Sequence, residues 1–286
     1  MSRMTRTTPL SLVLAASSAL GGAACSDSPS TPADSLTDGT SPAADPNSVA
    51  LPPANAGFDY QLGGGYSPPG DVRVLSRDRT DTPAPGLYNL CYVNGFQTQP
   101  GERSWWETNH PALILRDASG RPVIDPDWPD EDILDISTAD KRSQIAAIVN
   151  GWIDGCATAG FQAIEVDNLD TYTRFSVFKD SDAVAVVRAL ADHAHARGLA
   201  IGQKNTSELL SRRADTALDF AIVEECSKTK GECQQFIAAY GTQVYIIEYD
   251  RAGFQADCKA FPQVSIVLRD REVSPPTSSS YVRDAC

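Results

Sequence analysis

Basic residues are in short supply. The 286-residue chain carries 24 Lys and Arg against 37 Asp and Glu, a formal charge of −13. That balance disfavours a nucleic-acid partner, because a phosphate backbone is met by a Lys/Arg footprint. Histidine is scarcer still, with three in the chain: His110, His193 and His195. They lie far in sequence from the cysteines, whereas a zinc site needs clustered N and S ligands; no metal and no cofactor is expected. Long apolar runs and internal repeats are also missing. The apolar stretch at residues 10–20 is too short to span a bilayer.

What that stretch does fit is an export signal. Arg3 and Arg6 precede it, and Gly21-Gly22-Ala23-Ala24 lead into Cys25. The Gly-Ala-Ala-Cys junction resembles a bacterial lipobox, in which the cysteine is lipidated after cleavage, although Gly22 stands where that pattern has Leu. The expectation is a signal peptide at 1–24 and a surface lipoprotein whose one membrane contact is an anchor on Cys25. Plain secretion, with Cys25 free or paired, is the alternative. Residues 25–56 are rich in Ser, Pro, Asp, Thr and Ala and almost free of aromatics. Such a segment buries too little apolar surface to offset its ordering entropy, and reads as a flexible, disordered linker.

Six cysteines follow: Cys91, Cys156, Cys226, Cys233, Cys258 and Cys286. An even number in an exported chain implies disulfides, with fifteen possible connectivities. Cys226 and Cys233 are close enough to staple a local loop; the others stay open.

With 42% hydrophobic residues the chain can build a sizeable core. From residue 57 onward, short β-rich runs alternate with helical patterns, which predicts a parallel sheet covered by helices. The strands are expected at 58–62, 87–93, 133–136, 163–167, 199–203, 220–224, 244–248 and 264–268. Helices are expected at 143–159, with Ile145, Ile148, Val149 and Ile153 on one face, and at 183–197. Eight strands in this order favour a closed (β/α)8 TIM barrel over an open sheet, an α/β fold in one domain over 57–286. The segment 94–132 is too long for a standard connection and holds Trp105, Trp106 and Trp128, which suits an active-site wall.

Acidic residues recur at the predicted strand ends. Glu165 and Asp167 alternate with Ile164 and Val166, so one face of that strand carries both carboxylates. Lys204-Asn205, Glu224-Glu225, Glu248 and Asp270 end later strands, and Asp135 closes the third. Carboxylates converging on the catalytic face of a barrel are unfavourable unless a substrate or a charge partner uses them. Glycoside hydrolysis needs such a pair, one protonating the departing oxygen and one attacking the sugar or activating water. Structural salt bridges are the plainer explanation for Glu165 and Lys204. The aromatics Tyr60, Tyr92, Trp105, Trp106 and Tyr172 suit either the core or sugar stacking.

The strings at 58–62, 160–170, 196–205, 219–226 and 247–250, in that order, resemble glycoside hydrolase family 114 from about residue 58 to 273. The resemblance implies a TIM-barrel endo-α-1,4-polygalactosaminidase, with a catalytic aspartate ending the fourth strand and a glutamate ending the sixth. By motif these are Asp167 and Glu225. It also implies the cysteine-bracketed loop at Cys226 and Cys233. The sequence departs from the family pattern after the second strand and at Leu134-Asp135-Ile136-Ser137. Asp59, Tyr92, Asp135, Glu165, Asn168, Tyr172, Lys204, Asn205, Glu248 and Asp270 are the expected substrate-binding residues. A cationic amino-sugar polysaccharide is the expected partner of a monomeric enzyme, since an acidic mouth concentrates a polycation. A non-catalytic polysaccharide-binding barrel and a metal-dependent hydrolase are the alternatives.

Overall fold

The computed structural model describes residues 49–286. The expected signal peptide, Cys25 and the linker up to residue 48 lie outside the described residues. Residues 49–56, placed in the linker by composition, instead lie against the barrel. Tyr88 and Tyr245 donate their hydroxyls to the carbonyls of Ala50 and Pro53, and Ala56 N donates to Ser265 Oγ at 3.0 Å. Among the described residues, no helix is long and apolar enough to cross a membrane.

Eight parallel strands run in sequence order: β1 (Gly57–Tyr60), β2 (Val72–Asp78), β3 (Tyr88–Asn94), β4 (Ala163–Asp167), β5 (Ala200–Lys204), β6 (Phe220–Glu224), β7 (Val244–Glu248) and β8 (Ser265–Arg269). A short ninth strand, β9 (Arg283–Ala285), pairs antiparallel with β8. The architecture is a nearly closed (β/α)8 barrel. Its seam between β8 and β1 is tied by the fully buried pair Arg269–Asp59, 3.1 Å apart, and by Arg283 Nη2 donating to the carbonyl of Phe58. The helices are α1 (Arg103–Asn109), α2 (Ala139–Ala159), α3 (Thr171–Arg174), α4 (Asp180–Ala196), α5 (Arg213–Thr216), α6 (Glu232–Tyr240) and α7 (Arg251–Ala260).

Period-two alternation sorts the strands into two cores. Phe58, Val74, Leu90, Ala163, Ala200, Phe220, Ile222, Tyr245, Ile247 and Val267 fill the barrel interior. The intervening Ile164, Val166, Ile201, Ala221, Val223 and Ile246 belong to the outer core with the helices, including Ile145, Val149 and Ile153 of α2, Val187 and Leu190 of α4, Phe236 of α6 and Phe254 of α7. Gly202 lies in the inward phase of β5, where a Cβ would stand 2.6 Å from the Phe220 ring. The glycine makes room for the aromatic that plugs the barrel. Thr138 caps α2 by accepting from Lys141 N, and Gly160, at φ 95°, ends that helix in the left-handed conformation.

Two strand expectations fail. Val72–Asp78 was not expected, because Arg73, Arg77 and Asp78 interrupt its apolar pattern. No helix covers β2, and Arg77 is satisfied by Gln61 and by the carbonyls of Tyr66 and Thr82. The run 133–136 is not a barrel strand. Ile133 and Leu134 form only isolated antiparallel bridges, to Gln97 and Ile114, and bury their side chains against the outer core. One omission and one excess cancel, so Ala163–Asp167 remains the fourth strand.

Three disulfides are present among the described residues. Cys226–Cys233 closes the loop after β6, Cys91–Cys156 ties β3 to α2, and Cys258–Cys286 fastens the C-terminus to α7.

Candidate active site

At the C-terminal ends of the strands a cavity of about 520 Å³ opens. Its floor is set by the inward phase of each strand. Lys204, the last residue of β5, is 2% exposed and lies at the centre of the charged groups. Its Nζ is 3.2 Å from Glu165 Oε1, 3.6 Å from Asp167 Oδ2 and 3.5 Å from Glu224 Oε2. Burial disfavours its charge, yet Asp167, Glu224 and Glu165 outweigh that and hold the ammonium well above the usual lysine range.

Asp167 ends β4 and Glu224 ends β6, and both line the cavity. Asp167 Oδ2 accepts from the Tyr92 hydroxyl at 2.8 Å, and its Oδ1 from Asn168 N at 2.7 Å. Glu224 Oε2 accepts from Asn205 Nδ2 at 2.9 Å, and Oε1 from the Tyr249 hydroxyl. Burial, and then the neighbouring carboxylates, push the Tyr92 and Tyr249 phenols far up, which keeps both as donors. The two Lys204 distances set an upper limit of about 7 Å on the separation of those Asp167 and Glu224 oxygens, a limit that accommodates the roughly 5–5.5 Å spacing of retaining glycosidase pairs. Glu165 is one layer deeper and fully buried, bonded to Tyr60 and Ser76. It supports Lys204 and does not line the cavity.

Glu225 does not follow the barrel phase. Its φ of 49° is left-handed, so the chain turns away after Glu224. Its carboxylate pairs with Lys228 at 2.5 Å and Arg271 at 2.8 Å, outside the cavity lining. Of the doublet, Glu224 is the residue that faces Asp167's side of the mouth. The sequence carried the signal: Phe220, Ile222 and Glu224 share one phase, and Phe220 and Ile222 are apolar plugs. Motif position pointed to Glu225, whereas the residue of the doublet that lines the cavity is Glu224.

The wider acidic ring also resolves into separate pairs. Tyr92, Asn168, Lys204 and Asn205 line the cavity as expected. Asp59 is consumed by Arg269 and Tyr66, Asp135 by Lys141, and Asp270 by the backbone N–H groups of Ser274 and Val282. Tyr172 packs against the outer core. Trp106 is fully buried, whereas Trp128 is 54% exposed and lines the cavity. The wall 94–132 contributes Gln99, Asp125, Asp127, Trp128 and Glu131 to the lining, as its length and tryptophans suggested. Glu131, Tyr249 and Arg271 are cavity residues that the sequence reading missed. Burial pushes the Glu131 carboxyl up to about 7, with the charges of Asp167 and Asp125 adding to it and bonds from Gln97 and Asn94 opposing.

Glu248 and Asp257 form a buried carboxyl pair behind the mouth, between β7 and α7, with Glu248 Oε2 and Asp257 Oδ2 lacking other partners among the described residues. Burial and then Asp257 raise Glu248 to about 8, and burial raises Asp257 against the lowering effect of its bond to Glu248. A carboxyl raised by folding holds a proton that the unfolded chain releases above its ordinary value near 4.5. Stability should therefore fall as pH rises from about 4.5 to about 8. Glu248→Gln should flatten that decline, measured as Tm against pH; parallel curves for the two proteins would exclude this role.

The model of glycoside-hydrolase family GH114 matches residues 39–286. The chain belongs to this family. It is a glycoside hydrolase. Among solved structures, this GH114 member is similar to Aspergillus fumigatus Ega3 in complex with galactosamine, with 19% identity over 84% of this chain and 98% of that one, at a TM-score of 0.68. It is also similar to the glycoside hydrolase domain of PelA from Pseudomonas aeruginosa, with 14% identity over 79% of this chain and 96% of that one, at a TM-score of 0.53. No curated protein matches. At these identities the likeness concerns the barrel fold.

Proposed function

We propose that the chain is an exported, endo-acting hydrolase of α-1,4-linked galactosamine-containing polysaccharide, using Asp167 as nucleophile or base and Glu224 as general acid. The observation that carries this reading is the pair of cavity-lining carboxylates on β4 and β6 that share one buried ammonium. Lys204 Nζ lies 3.6 Å from Asp167 and 3.5 Å from Glu224, while the phenols of Tyr92 and Tyr249 fix each carboxylate in place. The same ammonium occupies the point between three carboxylates that a divalent cation would need, and two cations there repel. Hydrolysis through carboxyl groups alone is therefore the better fit. The excess of acidic residues, the exposed Trp128 and the galactosamine bound by Ega3 support a cationic amino-sugar polymer as substrate. Three disulfides support an oxidising, extracellular setting, with a Cys25 lipid anchor and a monomeric state as parts of the same proposal.

Incubation with a defined α-1,4-galactosamine oligosaccharide, followed by mass analysis, is the test. Wild-type protein should release internal fragments, and Asp167→Asn should release them at least 1,000-fold more slowly, about 4 kcal/mol of lost transition-state stabilisation. Binding without new reducing ends would assign a non-catalytic barrel, and loss of activity in EDTA a metal-dependent one.

A further inference from the structure

We infer that Glu131 is the specificity carboxylate of the site, taking the ammonium of a sugar unit next to the cleaved bond and so selecting deacetylated over N-acetylated units. This rests on the polysaccharide reading above and adds the group that discriminates between the two sugars. Glu131 comes from the wall 94–132 and is 6% exposed, yet it lines the cavity. Its Oε2 is fixed by Asn94 Nδ2 at 3.0 Å and Gln97 Nε2 at 2.8 Å. Among the described residues no donor meets Oε1. Since that atom is not sealed among the buried unpaired ones, it is open to the cavity. Asn94 stands opposite Asp167 in the β3–β4 register, which sets Glu131 beside the bond-breaking carboxylate and not in its place.

Among the described residues no cation satisfies that oxygen. The nearby guanidinium of Arg174, on α3, is held by Asp125 and Asp170 and donates to Gln97 Oε1 at 2.7 Å. Gln97 thus stands between Arg174 and Glu131, with its amide turned so that NH2 faces the carboxylate. The other titratable groups facing Glu131 are the carboxyls of Asp167 from β4 and Asp125 from the wall, neither of which supplies a cation. An acidic, partly dehydrated oxygen with no internal partner favours an external cation. Trp128, on the same wall, offers the apolar face on which a sugar ring can stack. With its carboxyl pushed up to about 7, Glu131 is largely neutral at pH 5.5 and ionised above neutrality. Ammonium binding should strengthen across that interval, until the sugar amine itself loses its proton.

The test compares wild type and Glu131→Gln on a fully deacetylated galactosamine oligomer and on its N-acetylated counterpart, with kcat and KM measured at pH 5.5 and 7. Glutamine keeps an oxygen for Asn94 and Gln97 and removes the charge. For the deacetylated oligomer, the variant's KM at pH 7 should rise about tenfold with kcat falling less than about threefold, and KM for the acetylated oligomer should rise much less. Wild-type KM for the deacetylated oligomer should fall from pH 5.5 to 7, and the variant's should not. Unchanged KM, equal losses on both oligomers, or a collapse of kcat at constant KM would overturn the assignment. The wild-type pH dependence alone suffices if the variant is unstable, a flat KM being the contrary result. If wild type cleaves neither oligomer, the polysaccharide reading itself fails, and this inference falls with it.

Discussion

Lys204→Met is expected to weaken the fold and the catalyst together. Methionine replaces the aliphatic stem but leaves Glu165, fully buried, without the ammonium 3.2 Å away. Breaking a buried ion pair from one side costs about 3–5 kcal/mol, because the remaining charge has no compensation. In a domain of this size that corresponds to a fall in Tm of roughly 10 °C. The tyrosine and serine bonds to Glu165 remain and soften the loss, so the lower half of the interval is the expectation. The catalytic effect is separate. Asp167 and Glu224 both lose the one cation that holds them at a fixed distance, and misplacement of reacting groups by about 1 Å costs on the order of 100-fold. Removing the ammonium also makes ionised carboxylate less favourable, so the acidic limb of the pH–rate profile should move to higher pH. Thermal melts and kcat/KM between pH 4 and 8 check both effects. An unchanged Tm with an unchanged profile would show Lys204 to be a bystander.

The barrel was legible because its two periodicities are strong. Inward and outward residues of β4, β6 and β7 alternate without a break, and α2 and α4 present continuous apolar faces. The failures share one cause: apolarity reports burial, not membership of the barrel. The run 133–136 is apolar because it packs under the wall, whereas β2 is polar because no helix covers it. At the site, Asp167, Tyr92 and Lys204 were legible as the ends of inward phases, and Asn205 as the residue that follows one. Glu131 was not, since it is brought in by a loop whose path has no sequence period. Asp59, Asp135, Glu248 and Asp270 looked functional because a sequence shows carboxylates without their partners. In space each has one: arginine, lysine, a second carboxyl or a turn of backbone N–H groups.

The Glu224-Glu225 doublet divides the reading most sharply, and the two residues are chemically identical. What separates them is one step of backbone. Glu224 keeps the inward phase of β6 and meets Asn205, Tyr249 and Lys204. Glu225 sits at φ 49° and is held by Lys228 and Arg271 at the rim. Loss of a positioned acid costs about 100- to 10,000-fold, whereas an exposed ion pair is worth at most about 1 kcal/mol. The small residual effect of Glu225 acts through Arg271, which lines the cavity and lies over the Tyr249 ring. The deciding measurement is kcat/KM for reducing-end release from a defined α-1,4-galactosamine oligosaccharide by wild type, Glu224→Gln and Glu225→Gln under one set of conditions. A loss of at least 100-fold in Glu224→Gln with less than about fivefold in Glu225→Gln is the expected result. The reverse order, or equal losses, would contradict the assignment of Asp167 and Glu224 as the catalytic pair.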